Sequence, residues 1–107
     1  MKFLSRPEEI ILLTILKLKE DAYCVPIRKK ASEISGKQWS FGAVYVPLHR
    51  LEKKGLVKSS FDEPTPVRGG RSRRIYEVTP AGKKALAETM ELQESMRKEF
   101  KEFSPEK

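Results

Sequence analysis

The chain has 107 residues, which is enough for one small globular domain and too few for two. Lys and Arg number 22 against 15 for Asp and Glu, giving a formal net charge of +7 that favours a polyanionic partner. The apolar run at residues 10–13 is far shorter than the ~20 residues that span a bilayer. Charged residues and a proline at positions 6–9 interrupt the place where a signal peptide has its apolar core. We therefore expect a cytoplasmic protein without a membrane partner.

The positive charge is concentrated in the middle of the chain. From Arg28 to Arg74 there are twelve basic and four acidic residues, a net charge of +8. The flanking segments together hold ten basic and eleven acidic residues and are nearly neutral. A polyanion is therefore expected to bind the central segment.

Residue types that carry catalysis or bind metals are scarce. The chain has one cysteine, Cys24, and one histidine, His49, so an intramolecular disulfide and a zinc ligand set of usual spacing are both excluded. His49 has no Ser, Cys or Asp partner at a recognisable catalytic spacing. Paired carboxylates and a phosphate-binding glycine loop are absent from the sequence. We predict no enzyme activity, no catalytic residue, no metal site and no cofactor.

Two helices are predicted in the N-terminal third. Pro7, followed by two glutamates, is typical of a first helical turn, because proline is tolerated there and carboxylates favour the positive end of the helix dipole. The apolar residues between positions 10 and 18 cover most of the helix circumference, so we expect this helix to be covered on two sides. A second, short helix is predicted from Cys24 to Ile34, with Gly36 supplying a left-handed C-cap.

A third helix is predicted from the N-cap residue Ser40 to Lys54. Val44, Leu48 and Leu51 form one helical stripe that faces the core. On a helical wheel of ~100° per residue the opposite face is small, aromatic or basic. This outer face consists of Gly42, Val46, His49 and Lys53, with Tyr45 and Arg50 at its edges.

A β-ribbon and a last helix follow. Residues 56–61 and 74–78 are short, rich in β-branched and aromatic residues, and separated by a segment rich in Pro, Gly and Arg. Thr79 and Pro80 are typical of the start of a helix. In that helix, residues 85, 92, 96, 100 and 103 are apolar and recur at roughly helical spacing. Three helices followed by a basic ribbon predict a winged helix-turn-helix, a mainly α fold with a small antiparallel β-hairpin.

Two stretches of the chain carry a more specific pattern. The first lies in and after the third helix and comprises Ser40, Gly42, Val44, Tyr45, Leu48, Arg50, Leu51, Glu52, Gly55, Leu56 and Val57. The second begins in the ribbon and comprises Gly70, Arg71, Arg73, Tyr76, Thr79, Pro80, Gly82 and Leu86. They resemble the recognition helix and the wing pattern GRxRxxYxxTxxGxxxL of the PadR family of transcriptional regulators. The resemblance extends from about Glu9 to Leu86.

The sequence departs from the family pattern at two places. The family usually has a proline directly after the tyrosine of the third helix, whereas here Val46 follows Tyr45 and the proline is Pro47. At the start of the second helix the family favours a Gly-Tyr pair, whereas this chain has Cys24 and Val25.

The resemblance implies a repressor that binds an inverted-repeat operator in double-stranded DNA as a homodimer and is released by a small-molecule effector or another signal. It divides the chain into a winged helix-turn-helix DNA-binding domain, residues 1–79, and a C-terminal dimerisation helix, residues 80–107. The predicted DNA contacts are Lys29, Ser40, Tyr45, His49, Arg50, Lys53, Arg68, Gly70, Arg71 and Arg73. The predicted pairing residues are Leu12, Leu16, Leu92, Met96, Phe100 and Phe103.

Two other functions fit the same fold. A winged helix can serve as a protein-interaction adaptor in a larger assembly, in which case it has no salt-dependent affinity for DNA. It can also bind RNA, although Tyr45 and Phe41 are the only aromatic residues that the sequence suggests for stacking on bases.

Overall fold

A computed structural model describes residues 3–62 and 73–103 of the chain. The predicted DNA contacts Arg68, Gly70 and Arg71 lie outside the described residues. The elements in chain order are the helices α1 (Arg6–Leu18), α2 (Cys24–Ser35) and α3 (Phe41–Lys53), the strands β1 (Val57–Phe61) and β2 (Arg74–Val78), and the helix α4 (Pro80–Phe100). Short 3₁₀ turns follow α1 at Lys19–Asp21 and α4 at Lys101–Phe103. The predicted fold class, mostly helical with one antiparallel ribbon, is confirmed.

Helix α1 begins one residue before Pro7, at Arg6, and is capped by Ser5. The Ser5 hydroxyl accepts a hydrogen bond from the Glu8 amide at 3.3 Å, and the Glu8 carboxylate accepts one from the Ser5 amide at 2.9 Å. This reciprocal pair is a capping box, and its Ser-x-x-Glu spacing is readable in the sequence. The helix packs against α2 and α3, and also against β2 and α4. The expectation that two sides of α1 are covered is therefore confirmed.

The core lies between α1, α2, α3 and the ribbon. Burial of these apolar side chains removes them from water and is the main force holding the elements together. The largest fully buried apolar side chains come from all three N-terminal helices and the first strand: Ile11, Leu12, Ile27, Val44, Leu48, Leu51 and Val57.

The ribbon is attached to the helical body at its base. Strands β1 and β2 pair in antiparallel register, with Val57 opposite Val78 and Ser59 opposite Tyr76. The Tyr76 amide also donates to the Ala22 carbonyl at 2.8 Å, so the segment before α2 adds a backbone link to the far side of β2. This link fixes the base of the wing relative to α2 and α3.

Helix α4 begins at a capped turn directly after β2 and packs against α1. The Thr79 hydroxyl accepts from the Gly82 amide at 3.0 Å and donates to the Gly55 carbonyl at 2.8 Å. Further along, the Leu4 amide donates to Thr89 at 3.2 Å, and Gln93 donates to Glu9 at 2.8 Å. From residue 94 to residue 103 every side chain is exposed, so the last turns of α4 project beyond the body.

The apolar stripe predicted on α4 overlaps the face that packs within the chain. The buried positions of this helix are Gly82, Leu86 and Thr89. On a wheel of ~100° per residue, Leu92 lies roughly 90° and Met96 roughly 45° to one side of their mean direction, while Phe100 lies on the same line. Met96 and Phe100 are therefore exposed because the last turns of α4 extend beyond the body, not because they face away from it.

Glu8 is buried, yet it remains an ionised partner of Lys54. Burial alone raises the pKa of Glu8, but the hydrogen bond and charge of Lys54, at 2.9 Å, and the hydrogen bonds from Ser5 together lower it below its ordinary value of 4.5. A group with a lowered folded-state pKa stabilises the fold above its unfolded pKa, and the stabilisation is lost as the pH falls through the folded value.

We expect Glu8→Gln to lower the free energy of unfolding by about 1 to 2 kcal/mol at neutral pH. The deficit relative to the wild type should shrink as the pH is lowered through 4.5 and below, because the wild-type carboxylate is then protonated. Urea unfolding at several pH values measures both effects. Glu33→Gln is the matched control, since Glu33 is an exposed partner of Lys30 and its loss should change stability by less than about 0.5 kcal/mol. If the stability deficit of the Glu8→Gln variant stays constant from pH 7 to pH 3, ionised Glu8 does not stabilise the fold.

Within residues 3–62 and 73–103 the structure contains no helix that is both long and apolar enough to cross a membrane. In the same part of the chain, no group of three or more His, Cys, Asp or Glu side chains is arranged to hold a metal ion.

Candidate nucleic-acid interface

The outer face of α3 is exposed along its whole length. Tyr45 is 51% exposed and Val46 is 52% exposed, and His49, Arg50 and Lys53 continue the exposed surface to the end of the helix. The inner stripe of Val44, Leu48 and Leu51 is fully or almost fully buried. The predicted assignment of the two faces is therefore confirmed. The outer face is free to enter a groove.

A concave surface lies between α3 and the ribbon, and we call it the α3–wing cleft. Its volume is about 720 Å³, and its lining includes Tyr45, His49, Arg50, Lys53 and Arg74. Four predicted DNA contacts thus line the cleft together with Arg74, which the sequence analysis counted in the basic segment but did not select. The cationic side chains at its edge would attract phosphate groups.

A polar network joins the end of α3 to the ribbon. Ser59 donates to Glu52 at 2.7 Å, and Arg74 contacts both Ser59, at 3.0 Å, and Glu52, at 3.1 Å. The hydrogen bond from Ser59 lowers the pKa of Glu52, burial opposes this, and Arg74 lowers the pKa further. Glu52 therefore stays ionised and holds Arg74 at the cleft, which fixes the angle between α3 and the wing.

Arg73 is held inside the chain rather than extended toward solvent. Its guanidinium lies 4.1 Å from the centre of the Tyr23 ring and donates to the Asp62 carboxylate at 3.2 Å, while the Arg73 amide also bonds to Asp62. Partial desolvation opposes ionisation of Arg73, but its bonds to Asp62 and Tyr23 raise its pKa. The predicted contact of Arg73 with DNA stays a prediction. Within the chain, the Arg73 guanidinium links the wing to Tyr23, the residue before α2.

Tyr45 is linked to the first residue of α2. The interaction of the Tyr45 side chain with Cys24, followed by partial burial, raises the pKa of the Tyr45 phenol. The phenol therefore stays protonated at neutral pH. Half of the side chain remains exposed at the α3–wing cleft.

Side chains that were not predicted as functional stabilise the start of α3. The Arg28 guanidinium lies 4.6 Å from the centre of the Phe41 ring and donates to the Trp39 carbonyl at 3.0 Å. The Ser40 hydroxyl caps the helix by accepting a hydrogen bond from the Ala43 amide at 3.1 Å. Ser40 was predicted to contact DNA, and its hydroxyl already has this partner within the chain. Lys29 is exposed beside Arg28 in a shallow hollow of α2.

Pro47 sits on the inner side of α3. It is buried, and the helix continues through it from Phe41 to Lys53. Proline has no amide hydrogen, so the helical bond from residue 47 to the Ala43 carbonyl is missing. Because Pro47 faces inward, Val46 faces the solvent.

The predicted pairing residues fall into three environments. Leu12 is 0% exposed in the core of the single chain, so no part of it is available to a partner and we leave it out of the pairing surface. Leu16 and Leu92 are half-buried. Met96, Phe100 and Phe103 are exposed, Phe103 to 75%.

Another apolar surface lies beside α4, and the sequence analysis missed it. A hollow of about 540 Å³, which we call the α1–α4 hollow, is bordered by residues of α1, the end of α2 and α4. Its apolar lining includes Ile10, Leu13, Ile34 and Met90, of which Ile34 and Met90 are exposed. Because α1 is apolar almost all round, its sequence alone does not show which of its residues reach the surface.

Three helices, with the third exposed beside a two-stranded wing, define a winged helix-turn-helix protein. The model of the family described as "Transcriptional regulator PadR-like family" matches residues 12–88 of the chain. The chain belongs to this family, which confirms the resemblance drawn from the third helix and the wing.

Similar proteins agree with this assignment. Over 64 residues the chain is 42% identical to the Transcriptional regulator Rv3488 of Mycobacterium tuberculosis (strain ATCC 25618 / H37Rv), a match that covers 60% of this chain and 56% of that protein. The match thus spans little more than half of the relative's length. The structure of a transcriptional regulator from Clostridium thermocellum is similar with a TM-score of 0.73 and 25% identity, covering 92% of this chain and 90% of the other. A PadR-like transcriptional regulator from Bacillus cereus strain ATCC 14579 has the same fold, with a TM-score of 0.75, 21% identity and coverage of 94% and 92%.

Proposed function

We propose that this protein is a cytoplasmic, homodimeric transcriptional repressor that binds double-stranded DNA through the α3–wing cleft. The observation that carries the proposal is the exposed outer face of α3 beside a cleft lined by His49, Arg50 and Lys53. A helix of this kind fits the major groove, and a wing beside it can follow the phosphate backbone. The central net charge of +8 supplies the attraction to phosphate.

Pairing through α4 is supported by the apolar side chains that the single chain leaves exposed. Met96, Phe100 and Phe103 project from the last turns of α4, and the α1–α4 hollow presents further apolar side chains nearby. Exposed apolar groups that are contiguous typically mark a protein interface. A second copy of the chain, placed on a two-fold axis, would cover both surfaces at once.

A two-fold dimer requires an operator with the same symmetry. Two copies of α3 would enter successive major grooves about one helical turn, roughly 34 Å, apart, so the operator should be an inverted repeat.

A small molecule bound in the α1–α4 hollow is proposed to release the protein from DNA. The volume of this hollow, about 540 Å³, lies within the ~300–1,000 Å³ of ordinary ligand pockets. Such a ligand would change the separation of the two α3 helices.

We assign the wing's internal arginines to positioning. Arg73 and Arg74 hold the ribbon to Tyr23 and Glu52, while Arg68 and Arg71 are proposed to contact phosphates. Lys29 on α2 is a further proposed phosphate contact, because its side chain is exposed.

A salt titration of binding to an operator selected from random duplexes tests this function. With about six phosphate contacts per dimer, affinity should fall roughly 1,000-fold between 50 and 200 mM salt. Lys29→Gln should reduce the slope of log affinity against log salt by about 1 per protomer. Lys98→Gln is the matched control, because Lys98 is equally charged and exposed but lies near the far end of α4.

Three results would contradict the proposal. Affinity that barely changes with salt would exclude phosphate-driven binding. Preference for structured RNA over duplex DNA would favour the RNA-binding function, and a folded protein without affinity for either nucleic acid would favour the adaptor.

A further inference from the structure

The first two turns of α3 present almost no hydrogen-bonding side chain to the outside. Between residues 41 and 46 the exposed side chains are apolar or small. The hydroxyl of Ser40, directly before the helix, caps the Ala43 amide. Tyr45, at the edge of the outer face, is the only exposed side chain between residues 41 and 46 that carries a hydroxyl. This half of the helix therefore has little with which to recognise the polar edge of a base.

Val46 is the aliphatic side chain at the centre of this region. It is 52% exposed and lies on the outer line of α3, between Gly42 and His49. A Cβ added at Gly42 would meet only one heavy atom within 4 Å, the Ser40 hydroxyl at 3.9 Å, so the helix surface beside Val46 is open. The fold does not explain the choice of valine, because a β-branched residue is slightly less favourable than alanine in an exposed helix.

The major groove contains one apolar group that identifies a base of unmodified DNA, the C5 methyl of thymine. The first turns of a recognition helix are the part that contacts base edges. We propose that Val46 contacts the C5 methyl of a thymine in each operator half-site and makes that thymine a determinant of binding. This inference rests on the proposed function, because it requires α3 to enter the major groove.

Deoxyuridine tests the contact, since it differs from thymidine only by the missing methyl group. An operator is selected from random duplexes with the wild-type protein, and each thymine of one half-site is replaced in turn by deoxyuridine. Fluorescence anisotropy then gives the dissociation constant for each duplex. Burial of one methyl group corresponds to about a fourfold change in affinity. We expect one position at which the replacement weakens wild-type binding about fourfold.

The variant Val46→Ala should bind the thymine operator about fourfold more weakly at each half-site and should be insensitive to deoxyuridine at that position. Val25→Ala is the matched control, since Val25 is a similarly exposed valine on α2, and it should keep the full methyl dependence. Alanine is favourable in an exposed helix, and far-UV circular dichroism verifies that both variants fold.

The outcomes separate this inference from the proposed function. If the wild type selects no duplex sequence, the proposed function fails. If it selects an operator but no thymine methyl matters, or if Val46→Ala keeps the full methyl dependence, the operator function stands and the role of Val46 is wrong.

Discussion

Gly82→Ala is expected to be the most destabilising single substitution in the described part of α4. A Cβ at this position would lie 2.2 Å from the Leu56 carbonyl oxygen and 2.7 Å from a methyl group of Val78. The first contact is with backbone, which cannot rotate away as a side chain can, so α4 would have to move off the base of the wing. Overpacking costs typically 1 to 3 kcal/mol and more where backbone must shift. We therefore expect a loss of about 3 kcal/mol or more in the free energy of unfolding.

Urea unfolding and thermal melting measure this loss, which corresponds to a decrease of at least about 12 °C in Tm for a chain of this size. Gly42→Ala is the control, because Gly42 is also helical but an added Cβ meets nothing closer than 3.9 Å. That variant should be stabilised by up to about 1 kcal/mol, since alanine is the better helix former. Equal stability of the Gly82→Ala variant and the wild type would show that α4 does not need this close approach.

Met96→Glu is expected to dissociate the proposed dimer. Met96 is 56% exposed in the single chain and lies in the last turns of α4, which project beyond the body. In a two-fold dimer each substitution enters the interface twice. Lost burial alone therefore removes about 3 kcal/mol, or roughly 100-fold in the dimer dissociation constant. The buried charge of the glutamate adds to this loss.

Sedimentation equilibrium over a range of protein concentrations measures the dissociation, and circular dichroism reports whether the variant keeps its helices. Ser95→Glu is the control, because it introduces the same side chain at an exposed position one residue earlier, about 100° around α4 from Met96. The control should remain dimeric and should bind the operator as the wild type does. An unchanged dimer in Met96→Glu would remove α4 from the proposed pairing surface.

The local signals in the sequence were largely sufficient for the secondary structure. Ser40, Gly36 and Thr79 act at helix ends where their chemistry predicts, because a cap depends on neighbours within a few residues. The inner stripe of α3 was correct because Val44, Leu48 and Leu51 recur at helical spacing and share one face. The prediction that Pro7 and the two glutamates after it lie in the first turn of α1 is also confirmed.

The interface was less predictable, because a charged side chain in a sequence has many equally plausible partners. The sequence gives the position of the basic residues, but it did not show that Arg73 binds Asp62 and Tyr23, or that Arg74 binds Glu52. These partners are brought together by the pairing of β1 with β2 and by the contact of β1 with α3. The partners of these arginines within the chain therefore required the tertiary structure.

The proposed pairing surface shows the same division. The sequence by itself determined that α4 carries an apolar stripe and that the apolar residues of α1 cover most of its circumference. It could not determine which of these residues remain exposed, since periodicity gives the angle between side chains but not the direction of the neighbouring helix. The packing of α1 against α2, α3 and α4 decided this, by burying Leu12 and leaving Ile10 and Leu13 at the edge of the α1–α4 hollow.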